Sequence, residues 1–137
     1  MPCTAAVAHA QVLAQRALKP LVPIVRNGGG VDRVFCPDLD GDGARDLAFS
    51  VFSGGTAGDM DWAVLLRAGN RWRVVQFGHG YKLALAASGH DLVVTQPVYR
   101  KNDPNCCPTG GFDHARWRWN GVKLALARAW HTRSVGG

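Results

Sequence analysis

At 137 residues with a formal net charge of +6, the chain has the length of one domain and enough material for a core of its own. All ten acids are aspartate, and the sixteen bases are twelve Arg and four Lys. The scarcity of Glu and Lys tilts the balance from helix towards strand. No apolar run approaches the ~20 residues of a membrane span. The basic residues are scattered rather than gathered in a run, so the charge reads as a soluble basic surface and not as a nucleic-acid tract.

Thr4 has the chemistry of an N-cap, and no Gly or Pro interrupts Ala5 to Leu18. The expected helix covers 4–19, with Ala10, Leu13, Ala14, Ala17 and Leu18 as its apolar stripe. Lys19-Pro20 closes it, Leu21 to Arg26 reads as extended, and Asn27 to Gly30 as a turn. From Val31 to His131 the chain reads as a strand-rich body. Its expected strands are Val31–Pro37, one containing Leu47, Phe49 and Val51, one containing Trp62, Val64 and Leu66, Arg71–Phe77, one containing Tyr81, Leu83 and Leu85, Leu92–Tyr99, Phe112–Trp119 and Val122–Trp130. Gly78-His79-Gly80 reads as a turn, and Asn120-Gly121 is the strongest hairpin signal. The expected fold is α+β, mostly β. The N-terminal helix packs on a curved antiparallel meander, or a barrel-like sheet, of about seven or eight strands in a single domain, 1–137.

Between the first two expected strands lies Asp38-Leu39-Asp40-Gly41-Asp42-Gly43-Ala44-Arg45-Asp46-Leu47. Hard cations such as calcium take six to eight oxygens at roughly 2.3–2.6 Å. Carboxylates on alternate residues of a tight loop can converge on one ion, and Gly43 permits the turn. The candidate ligands are Asp38, Asp40, Asp42 and Asp46 with the backbone carbonyl of Ala44, and calcium is the expected ion. The loop departs from an EF-hand, because Phe49 stands where a bidentate Glu is required. It resembles the DxDGDGxxDL calcium loop of FG-GAP-type β-propeller repeats. It occurs only once here, which excludes a propeller.

A second resemblance runs from Val34 to Trp130. The residues that carry it are the acidic loop, Gly54-Gly55-Thr56-Ala57-Gly58, Pro97-Val98-Tyr99, Asp103-Pro104-Asn105-Cys106-Cys107-Pro108 and Arg118-Trp119-Asn120-Gly121. It is similar to uncharacterised exported actinobacterial proteins near the LppP/LprE lipoprotein group. The resemblance implies an exported protein, secreted or membrane-tethered, and supplies no activity or catalytic residues. The expected location is therefore secreted or cell-envelope, with Met1-Pro2 standing where a leader has been removed.

Four cysteines, Cys3, Cys36, Cys106 and Cys107, read as disulfides in an oxidising compartment. The favoured pairing joins Cys106 and Cys107 each to Cys3 or Cys36; a vicinal bond and a lipidated Cys3 are the alternatives. His9, His79, His90, His114 and His131 are dispersed, and Asp59-Met60-Asp61 is a carboxylate pair of the kind that arises by chance. No GxSxG, HExxH or phosphate-binding glycine loop occurs, so no catalytic residue is assigned and a non-enzyme is favoured. Arg71-Trp72-Arg73 and Arg116-Trp117-Arg118-Trp119 mix cations with aromatics as single-strand binders do. On a strand the two kinds alternate between faces, which puts Trp62, Trp117 and Trp119 in the core and argues against specific nucleic-acid binding. The expected partner is an unidentified protein or envelope component, and the expected state a monomer. Two functions compete: a calcium-stabilised binding or structural domain, and a small envelope enzyme or enzyme inhibitor working through loops 54–61 and 100–111.

Overall fold

The computed structural model describes residues 3–133. Its helical segment is followed by eight strands in two antiparallel meanders. Sheet A comprises β1 (Gly30–Phe35), β2 (Leu47–Phe52), β3 (Asp59–Ala68) and β4 (Arg71–His79). Sheet B comprises β5 (Ala84–Ser88), β6 (Asp91–Pro97), β7 (Phe112–Trp119) and β8 (Leu124–Thr132). The expected mostly-β architecture with an N-terminal helix is present. The barrel-like alternative is not, since the sheets form separate ladders of four strands each.

The break between the sheets falls at 80–83. There Lys82 takes a left-handed φ of 49°, and the Gly80 and Leu83 amides donate back to the Met60 and Asp59 carbonyls. The period-two pattern of Tyr81, Leu83 and Leu85 therefore does not belong to one strand: β5 begins at Ala84. Gly78-His79, by contrast, continues β4 rather than turning. Gly78 is needed there, because a Cβ would lie 2.2 Å from the Trp62 indole nitrogen that crosses it.

The helix is shorter than its sequence suggests. α1 spans Ala5–Ala14, capped by the Thr4 hydroxyl, which accepts from the Val7 amide. Gln15 is extended, with its side chain donating to the Trp72 carbonyl at 2.9 Å and to Gln11. A 3-10 turn (Arg16–Leu21) replaces the end of the expected helix, and α2 (Val22–Arg26) stands where an extended segment was expected. Pro20 lacks the N–H that a continuous helix would use, and Pro23 fits the first turn of α2. The expected apolar stripe is also displaced. Ala8 and Val12 are the buried residues of α1, and Leu13 is exposed.

The result is three layers. The helical segment covers one face of sheet A, where Ala8, Val12, Leu18 and Leu21 meet Phe49, Val51 and Leu65. The other face of sheet A packs on sheet B through Ala48, Trp62 and Val64 against Leu85, Leu92 and Val94. Burial on both faces explains why β2 and β3 are apolar almost throughout.

Trp62 is buried as expected, whereas Trp117 and Trp119 are only half-buried at the border of the same core. Arg116 and Arg118 lie on the opposite face of β7, both bonded to Asp91, the nearest contacts being 2.7 and 2.9 Å. Desolvation would raise the Asp91 carboxyl, but the two guanidiniums hold it below the usual carboxylate range.

Candidate functional site: the acidic loop and its surroundings

The β1–β2 loop is closed at its base by the Asp46 amide donating to the Pro37 carbonyl at 2.8 Å. Gly43, at φ 87°, supplies a left-handed conformation that side chains rarely adopt. Its amide donates to Asp38 Oδ2 at 2.9 Å, and the Ala44 amide donates to Asp42 Oδ1 at 2.9 Å. The outcome is that Asp38, Asp40 and Asp42 bring one carboxylate oxygen each to within 4.8 Å of one another. Such a cluster could hold a metal ion. Asp38 Oδ1 is shielded from solvent with no hydrogen-bond partner.

Asp46 is not part of this trio. It is fully buried, and its two oxygens accept from the Leu39 amide at 2.8 Å and the Arg67 amide at 3.0 Å. Leu39 in turn is buried in the core between the sheets. The His90 ring, on the β5–β6 turn, meets the Asp38 carbonyl. The loop is thereby tied to both sheets. The Ala44 residue is half-buried beside the trio.

The electrostatics are those of an anionic site short of positive charge. Desolvation, reinforced by the charges of Asp46 and Asp42, pushes the Asp40 carboxyl up to about 6. Desolvation, against the Arg67 and Leu39 amides, also raises Asp46. It would raise Asp38 too, but the Gly43 and Gly41 amides, the hydrogen bond with Asp40 and the charge of His90 together outweigh it and keep that carboxyl low.

The cysteines pair as Cys3–Cys36 and Cys106–Cys107, with no free thiol among the described residues. This corrects the cross-pairing expected from sequence. Cys36 lies next to the acidic loop, and Cys3 reaches it from the start of the helical segment, with its Sγ 3.3 Å from the Asp46 carbonyl. Cys106 and Cys107 sit on the exposed β6–β7 loop. Thiol attack on a disulfide depends on access. Limited reductant should therefore open Cys106–Cys107 well before the half-buried Cys3–Cys36. Alkylation followed by peptide mapping reads the order, and labelling of Cys3 and Cys36 first would contradict it.

The loops at 54–61 and 100–111 come together through Lys82, which the sequence did not single out, and through Tyr99 and Asn105. The Lys82 backbone amide donates to the Ala57 carbonyl at 3.1 Å. The Lys82 ammonium donates to the Asn105 carbonyl and lies 5.7 and 5.6 Å from the Tyr81 and Tyr99 ring centroids. Tyr99 also donates to the Asn105 carbonyl, at 2.6 Å, and the two tyrosine rings meet edge-on. Asp103 accepts from the Arg100 and Thr109 amides at 2.7 and 2.8 Å, which closes the cysteine loop. The left-handed φ at Lys82, not visible in a strand-like pattern, lies at the centre of this junction.

Asp59 and Asp61 do not act as a pair. Asp61 accepts from His79 Nδ1 at 2.7 Å, whereas Asp59 accepts from the buried Ser50 hydroxyl at 2.6 Å. Desolvation, with Asp32 nearby, pushes the Asp59 carboxyl up to about 6 from 3.8. Between those values the folded chain holds a proton at Asp59 that the unfolded chain has lost. Stability from this group is therefore present below the lower value and is lost as pH rises through the upper one. In chelator, unfolding by urea across that window should show a falling contribution that Asp59→Asn removes. An unchanged pH slope in the variant would exclude Asp59 as its source.

No protein-family model, curated protein or solved structure matches the chain. Among the described residues, no helix is long and apolar enough to cross a membrane. The two disulfides fit an oxidising compartment.

Proposed function

We propose that this chain is an exported domain of the bacterial cell envelope that acts by binding, with calcium as a structural clamp on its acidic loop. The observation that carries the reading is the convergence of Asp38, Asp40 and Asp42. Three carboxylates can supply up to six oxygens, and water or backbone carbonyls complete a calcium shell. An ion there offsets most of the trio's negative charge and fastens a loop that already touches both sheets through Leu39 and His90. Export is supported by the disulfides and by the resemblance to the LppP/LprE group.

Calcium should raise the melting temperature of chelator-treated protein. At 100 times its dissociation constant the added stability is about 2.7 kcal/mol. Asp40→Ala should abolish the rise, while Asp113→Ala, outside the loop, should keep it. An absence of any shift at millimolar calcium would remove the clamp from this reading.

The second reading, an enzyme or inhibitor working through loops 54–61 and 100–111, is favoured by one observation. Lys82 and the two tyrosines join those loops into one surface carrying the exposed Cys106–Cys107 bond. Turnover of a substrate, or inhibition of an enzyme, separates this reading from the first.

A further inference from the structure

The two sheets close on each other where Trp62 meets Trp117, with ring centroids 5.4 Å apart and planes tilted by 53°. Beyond that contact they diverge into an open cleft of about 640 Å³. The space exists because residues along its walls are small: Gly78 on β4, Ala115 on β7 and Ala129 on β8. Its volume lies within the range of small-molecule sites.

The polar groups on its walls are unbalanced. Gln76 Oε1 accepts from the Phe77 amide at 3.0 Å, and Gln96 Oε1 accepts from the Tyr81 amide at 3.3 Å. An amide N–H can only donate, so these bonds fix which end of each carboxamide is oxygen. Both NH₂ groups are left without a protein partner among the described residues. The Trp117 indole N–H is likewise shielded from solvent and unpartnered. His131 Nδ1 lies 2.8 Å from Asp113 Oδ1, which leaves the Nε2 edge of the His131 ring as a further polar group on the wall.

A complementary ligand has a C–H face for the half-buried Trp117 indole, presents carbonyl oxygens to the N–H donors and offers hydroxyls to the His131 ring. We propose that the cleft binds an N-acetylated amino-sugar unit of one or two rings. Its acetamido carbonyl meets the carboxamide donors, and its ring face lies on Trp117. The proposal rests on the reading of the chain as a binding domain and is independent of calcium.

The test is a titration of ¹⁵N-labelled protein with N,N′-diacetylchitobiose, with cellobiose, which lacks the acetamido groups, as control. The Trp117 indole and the Gln76 and Gln96 side-chain NH₂ resonances should shift saturably, with cellobiose roughly tenfold weaker or more. Gln96→Glu keeps the oxygen that accepts from Tyr81 and removes the donors, so it should weaken binding about tenfold without altering the backbone spectrum. Ala115→Leu, which fills the cleft, should abolish binding. No saturable shift at tens of millimolar sugar, an equal response to cellobiose, or undiminished affinity in Gln96→Glu would each overturn the proposal. The calcium-dependent melting shift, measured on the same sample, keeps the two readings apart. A shift without sugar binding overturns the cleft assignment and leaves the clamp standing.

Discussion

Trp62→Ala should cost about 3–5 kcal/mol, the range for removing a large aromatic from a packed interior. The ring is buried, lies across the bare backbone of Gly78, and forms the contact of sheet A with Trp117 of sheet B. No neighbouring side chain at Gly78 can move in to refill the space, so the cavity persists and the cost falls at the upper end. Trp117→Ala should cost distinctly less, because Trp117 is half-buried and borders an open cleft. Urea unfolding of the two variants ranks them. An equal or larger loss for Trp117→Ala would mean that the sheets are held together chiefly at the rim of the cleft. Gly78→Ala serves as an independent check: a Cβ there cannot coexist with the indole where it lies, so this small substitution should also destabilise.

The sheet architecture was legible because alternation and turn residues act locally. Phe112–Trp119 is a strand with the expected ends, and Asn120 caps the following turn by accepting from the Val122 and Lys123 amides at 2.9 Å each. The acidic loop was legible for the same reason. Its spacing alone brings Asp38, Asp40 and Asp42 together. What failed depended on partners distant in sequence. Asp46 fits the ligand spacing, but nothing local shows that its carboxylate also accepts from the Arg67 amide, 21 residues away. Gln15 ends α1 in part because the Trp72 carbonyl lies opposite it. The apolar stripe of the helix was misread because alanines fit a stripe on any face. Only tertiary packing selects Ala8 and Val12. Spacing likewise could not pair the cysteines, since no local rule sends Cys3 to Cys36. The cleft left no motif at all. It arises from small residues on three strands whose proximity only the stacking of the sheets creates.

Removing the Cys3–Cys36 bond, as Cys3→Ala/Cys36→Ala, should cost about 3–4 kcal/mol. The bond spans a sequence separation of 33, and closing a loop of that size in the unfolded chain lowers its entropy by a corresponding amount. Cys106–Cys107 joins adjacent residues, so it restrains almost nothing that the peptide bond leaves free. Cys106→Ser/Cys107→Ser should therefore change stability by less than about 1 kcal/mol. The contrast extends to the acidic loop. Cys36 lies beside Pro37, whose carbonyl closes the loop, and Cys3 contacts the Asp46 carbonyl at the other end of it. Loss of the first bond frees both ends of the loop, so the carboxylates must be ordered when an ion binds rather than beforehand. Denaturant unfolding with and without calcium reads both effects. The expected result is a large loss in chelator together with weaker calcium affinity for the Cys3/Cys36 variant, and neither effect for the Cys106/Cys107 variant. Equal losses for the two pairs would show that the staple at the helical segment contributes no more than the exposed one. The architecture would then rest on the sheet cores alone.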